Sequence, residues 1–136
     1  MVVGFAVLAL NALAAAWGAI AWSRRDPSTG FWYVLRAAQA SVVIQAALGG
    51  VLLASGEHVD GLHLFYGLTP LFVSLVTEGM RVGAAQAEVA EVEDVEALER
   101  REQVLLARRV VMREMGVMTI GALMIVTLSL RAAGIF

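Results

Sequence analysis

The chain contains no cysteine. Disulfides, thiolate metal sites and cysteine nucleophiles are therefore excluded. Lysine is absent too: all ten basic side chains are arginine, which with the Ala, Gly and Val load reads as coding bias more than mechanism. Histidine is limited to His58 and His63, the only imidazoles available for ligation or proton transfer. No nucleophile–base set, glycine-rich phosphate loop or metal-ligand spacing stands out, so nothing in the sequence calls for an enzyme. A net charge of −2 gives no reason to expect a nucleic-acid partner.

What the chain has in excess is apolar surface. Of its 136 residues 60% are hydrophobic, and the mean hydropathy is +0.77. Those values belong to polytopic membrane proteins rather than to soluble domains. Four apolar segments stand out, from about Val2 to Trp22, Phe31 to Ala54, Gly61 to Met80 and Met115 to Phe136. Each is near the ~20 residues needed to cross ~30 Å of hydrocarbon. No basic residue precedes the first, so it reads as a retained span and not as a cleaved signal. The expected fold is an all-α, antiparallel bundle of four transmembrane helices, one domain over residues 1–136.

Arginine placement orients it. Arg24 and Arg25 lie between spans one and two, and Arg100, Arg101, Arg108, Arg109 and Arg113 lie between spans three and four. The connection Ser55–Gly61 holds two acids and no arginine. The positive-inside rule then puts the chain in a cell membrane as a multi-pass protein, with both termini outside and the long connection in the cytoplasm. Residues 84–113 contain no proline or glycine, with acids first and arginines later, as the helix dipole favours. They read as a cytoplasmic helical extension: a turn between about Gly83 and Glu93, then one helix from about Asp94 into span four. Leu98, Leu105 and Met112 recur every seven residues and offer a seam for the extension of span three or a second chain. A homodimer or a place in a larger membrane complex follows from that seam.

Individual spans carry smaller signals. Asn11, near mid-membrane, needs a partner on a neighbouring helix or a bound polar group. Pro27 ends one helix, and Ser28 or Thr29 is able to cap the next. Arg36 is shallow enough to snorkel as an anchor, whereas Gln39 and Gln45 lie deeper and need hydrogen-bond partners. Ala46, Gly50 and Ala54 form a small-residue ridge suited to close packing.

The stretch His63–Arg81 stands apart. At about 100° per residue, His63, Gly67, Pro70, Ser74, Thr77 and Arg81 share one face, with Tyr66 and Glu78 on its flanks. The opposite face is Leu and Phe. A membrane helix keeps such a stripe only where it meets protein, water or a ligand. Asp60 is placed to cap this helix, and Pro70 should kink it and free the carbonyl of Tyr66.

Gln45-Ala-Ala-Leu-Gly49, a short outer loop and Leu62-His-Leu-Phe-Tyr66 together resemble one helix pair of the heme A synthase family, over about residues 39–70. The resemblance implies a four-helix membrane bundle in which a histidine at an outer helix end ligates heme. It differs in having no histidine on spans one, two and four and no cysteine pair, and Glu57 only loosely matches the family's outer-loop glutamate. What carries over is His63 as axial ligand. The expectation is a b-type heme near the outer surface, serving electron transfer or heme handling. Gly67 and Pro70 would leave it room beside Tyr66, and Arg131 would meet its propionates. His58 lies about 140° around the helix from His63 and is poorly placed for a second ligand. The competing reading bonds His63 to Gln45 or a carbonyl. The protein is then a non-enzymatic helical bundle or accessory subunit whose cytoplasmic helix docks a partner. A carrier or quinone-type site on the same stripe is a third reading.

Overall fold

The computed structural model describes residues 2–56 and 61–135, with the side chain of His63 left outside that description. Glu57, His58 and the expected cap Asp60 also lie outside the described residues. Among the described residues there are four helices and no strand: α1 (Val2–Ser23), α2 (Thr29–Ala54), α3 (Gly61–Ala90) and α4 (Arg100–Ala132). The main packing pairs each helix with its chain neighbour, and α4 also closes against α1. At 1.5 Å per residue, α3 (30 residues) and α4 (33 residues) run to roughly 45–50 Å, well beyond a hydrocarbon layer of ~30 Å. They pack most extensively on each other.

Among the described residues, α1, α2 and α4 are long and apolar enough to cross a membrane. The third segment, α3, is not among them, because Tyr66, Thr69, Pro70, Ser74 and Glu78 dilute its apolar run. The helix continues through a buried Pro70 without interruption.

Local chemistry sets the helix ends. Ser28 caps α2, its hydroxyl accepting from the amide of Phe31 at 3.3 Å and from Trp17 Nε1 at 3.1 Å. The end of α1 turns through Arg25 at φ 53°, with Asp26 N bonded to the carbonyl of Ala21 at 3.0 Å and Arg25 N to Trp22 at 3.0 Å. This two-bond stop usually places glycine at the left-handed position. An L side chain there costs about 1–2 kcal/mol.

The start of α4 corrects the sequence reading. The helix begins at Arg100, not near Asp94, and the turn covers 91–99. Asp94 instead accepts from the amides of Glu96 (3.0 Å) and Ala97 (3.3 Å), which bends the chain. Glu99 and Glu102 then form a reciprocal capping box that fixes the first turn. Within the chain the Leu98–Leu105–Met112 seam does not pack as a unit: Leu106 turns inward at 4% exposure, while Leu105 stays 48% exposed and open to a second chain. Met112 alone of the three packs against the core.

Two apolar clusters fill the bundle. One joins Ala14, Ala15 and Ala21 of α1, Phe31 and Leu35 of α2, and Met115, Met118 and Ala122 of α4. The other joins Val7, Val42, Val73 and Ile125, one from each helix. Close approach is bought by glycines on α1 and α4, not by the expected Ala46–Gly50–Ala54 ridge, where Gly50 faces open space. A Cβ at Gly121 would stand 2.6 Å from Thr77 Cγ2, and one at Gly18 would collide with Thr119 and Phe31. Asn11 is buried at 2% exposure, and its Nδ2 donates to the Val7 carbonyl of its own helix at 2.8 Å rather than across to a second helix.

Gly121→Ala is expected to lower unfolding stability by about 1–2 kcal/mol, overpacking outweighing the gain in helix propensity. Gly50→Ala should be neutral or mildly stabilising. Thermal melting of the two purified variants in one detergent checks the pair.

Candidate functional site

The densest polar chemistry in the bundle lies where α2, α3 and α4 meet. Glu78 of α3 is its hub. Arg36 Nη1 on α2 donates to Glu78 Oε1, and Gln39 Nε2 donates to the same oxygen at 2.7 Å. Arg36 Nη1 also reaches Gln39 Oε1 at 2.6 Å. From the other side Arg81 Nε donates to Glu78 Oε2 at 2.7 Å, and Arg81 Nη1 donates to Glu114 Oε1 on α4 at 2.7 Å. The guanidinium of Arg81 lies 5.9 Å from the ring centre of Trp32, a cation–π contact that covers it from the α2 side.

Charge alternates along the chain Arg36–Glu78–Arg81–Glu114, two cations against two carboxylates. The arrangement is neutral overall, which is what a site poor in water requires. Exposure falls across it, from 53% at Arg36 to 15% at Glu114, with Arg81 at 23%. The i,i+3 spacing of Glu78 and Arg81 puts both on the edge of α3 facing its neighbours. Seven residues further along the same face, Glu88 is buried and takes Arg113 Nε at 2.6 Å and Arg109 Nε at 3.5 Å. The α3–α4 pair is thus pinned by charge at two levels. Every one of these carboxylates is committed to arginine, so the arrangement locks helices and offers no idle base.

The stripe expected on α3 divides in two. Its half nearer Arg81 is structural: Ser74 and Thr77 are buried, and Thr77 Oγ1 donates within its own helix to Val73 at 2.9 Å or to Ser74 at 3.1 Å. Its half nearer His63 is more open. Among the described residues a Cβ at Gly67 would meet nothing within 4 Å, and the half-buried Tyr66 sets its ring edge-on to Phe65 at 5.6 Å. Gln45 Oε1 is buried without a hydrogen-bond partner among the described residues. Arg131 is exposed in the last turn of α4 and has an interaction of its own. Among the described residues no hydrogen bond links Gln45 to Tyr66, and no three His, Cys, Asp or Glu side chains gather as a metal-binding group.

The ion-pair chain is what sequence reasoning missed. Arg36 reads from sequence as a snorkelling anchor, and the acids of 84–113 read only as early charges that suit a helix dipole. The available signal was the joint presence of Arg36, Gln39 and Glu78 in segments that are otherwise apolar, because charges there find one another. Compared with known families, curated proteins and solved structures, the chain matches none.

Arg81→Met leaves two carboxylates facing lost partners, whereas Arg36→Met removes a half-exposed cation and leaves Glu78 bonded to Gln39 and Arg81. The first is expected to cost about 3–5 kcal/mol and the second about 1 kcal/mol or less. Chemical denaturation of the two variants gives the ranking.

Proposed function

We propose that the protein is a non-enzymatic, four-span, antiparallel membrane bundle whose α3–α4 hairpin projects into the cytoplasm and binds a second copy of the chain. Opposed contacts support the antiparallel reading. Gly18 approaches Thr119 while Trp22, further along α1, approaches Gly116, earlier in α4. In the same way Thr77 meets Gly121 and Arg81 meets Glu114. The arginines of the α1–α2 turn and of α4 support the inward orientation. With α3 as the fourth span, its Glu78 and Arg81 sit near the inner boundary, neutralised by α2 and α4.

The observation that carries the reading is the combination of a charge-pinned hairpin with uncovered apolar side chains. Val89 is 43% exposed, Val104 58% and Leu105 48%, beyond the stretch that lipid would cover. A rigid helix pair with such residues outside the bilayer is suited to helix-on-helix association. Val104→Asp is expected to weaken self-association at least tenfold while leaving the melting temperature of the monomer unchanged. Sedimentation in detergent measures the association and a thermal melt the stability, and a wild-type chain that stays monomeric at all concentrations overturns the claim.

A second reading keeps the half of the stripe nearer His63 for a b-type heme, with His63 as axial ligand near the outer face and Arg131 toward the propionates. Gln45 Oε1, unpartnered among the described residues, and the space they leave at Gly67 favour it. A buried acceptor without a donor is costly unless something supplies one, and an imidazole N–H or a protonated propionate has that chemistry. Protein purified from heme-replete cells should show a Soret band that His63→Ala abolishes and His58→Ala leaves. A colourless preparation removes this reading.

A further inference from the structure

The geometry points to a binding site for the phosphate headgroup of an anionic phospholipid, in the groove between the end of α1 and the first half of α4. The groove is lined by Trp22, Ser23, Arg25, Leu105, Arg108, Arg109 and Met112 and has a volume of about 650 Å³. That lies within the range of about 300–1,000 Å³ common for ligand sites.

Its chemistry is divided as an amphiphile requires. Trp22 and Met112 give an apolar wall at the membrane end of the groove, and Leu105 extends it away from the bilayer. Arg25, Arg108 and Arg109 give a cationic rim. Among the described residues neither Arg25 nor Arg108 has a carboxylate within ion-pair distance, and Arg109 has only a long 3.5 Å pairing with the buried Glu88. Asp26, next in the chain to Arg25, is the nearest acid in sequence, and its backbone amide is bonded to Ala21. Arg108 is held in place, Nη2 donating to the Arg25 backbone carbonyl at 2.7 Å, and both residues line the groove. Arginine forks match phosphate oxygens in pairs.

The residue at position 25 strengthens the case. The turn it occupies favours glycine or asparagine, yet an arginine sits there at φ 53°. A cation just past the end of α1 suits the helix dipole, and its side chain lines the groove, where an anionic headgroup would meet it. Anionic lipid is favoured over an acidic protein segment because the groove adjoins Trp22, a ring at home at the membrane interface. The acids of the 91–99 turn precede α4, and Glu102 in its first turn already accepts from the amide of Glu99. The site rests on the membrane orientation proposed above, which puts it at the inner leaflet, where basic residues attract anionic lipids.

The test is native mass spectrometry of the full chain in detergent with equimolar phosphatidylglycerol and phosphatidylcholine of identical acyl chains. Wild type should retain phosphatidylglycerol at least fivefold over phosphatidylcholine. Arg25→Asn should bring the ratio near parity while its melting temperature is unchanged or higher, because asparagine accepts the left-handed turn. Arg108→Gln should also lower the ratio, and Arg131→Gln, at the other end of the bundle, should leave it. An unchanged ratio in Arg25→Asn overturns the site. Displacement of the lipid by millimolar inorganic phosphate makes it a free-anion site, and a salt-sensitive dimer lost in Arg25→Asn makes it a docking site for a second copy; either result overturns the lipid assignment. Labelling of a single cysteine at Ala90 reports orientation separately. Ala90 on the outside sinks the proposed topology, while lipid selectivity at Arg25 would survive it on the other leaflet.

Discussion

A charge inside an apolar helix bundle has to be matched by another, and that constraint fixes how α2, α3 and α4 sit together. Glu78 alone would be intolerable in such surroundings, and so would Arg81. Joined in series with Arg36 and Glu114, they form a neutral chain in which both oxygens of the Glu78 carboxylate are occupied. The direction of the exposure gradient matters. Arg36 at 53% exposure keeps contact with the surroundings, while Glu114 at 15% depends almost wholly on Arg81. The energetic weight therefore falls on the Arg81–Glu114 link rather than on the more visible Arg36–Glu78 contact.

The apolar packing depends on the same register. Thr77 lies one turn from Arg81 on α3, and it meets Gly121, two turns from Glu114 on α4. Shifting α3 along α4 by a single turn would break the ion pair and drive Thr77 into a larger side chain. Glu88 repeats the tie beyond the apolar region, with Arg113 adjacent to Glu114 on α4. Charge sets the register and glycine sets the distance, so the α3–α4 hairpin behaves as one stiff unit. Exposed Val89 and Val104 sit on this stiff unit.

Much of this fold was legible in the sequence where one physical rule dominates. The bounds of α1 and α2 followed from apolar length, and the turn after Pro27 offered Ser28 or Thr29 as the cap, of which Ser28 is the one used. The onset of α4 was misread because composition alone favours helix from Asp94. Asp94 and the Glu99–Glu102 box act through individual hydrogen bonds that a helical-propensity argument averages away. Asn11 was expected to need a distant partner because self-bonding to the i−4 carbonyl leaves no trace in spacing. The polar stripe on α3 was recognised, but its role depends on what stands opposite each residue. Thr77 faces a glycine and Arg81 a glutamate, and only tertiary structure pairs them. The Ala46–Gly50–Ala54 ridge made the converse error: small residues permit close packing without compelling it.

The dependence of the bundle on the Arg81–Glu114 link is best measured by a double-mutant cycle. Arg81→Met and Glu114→Met are made singly and together, and unfolding free energies are compared in one detergent. Coupling of about 1–3 kcal/mol is predicted, with the double variant closer to wild type than the sum of the single losses. Additivity within about 0.5 kcal/mol would show that the two side chains do not depend on each other, and the bundle would then owe its register to apolar packing alone.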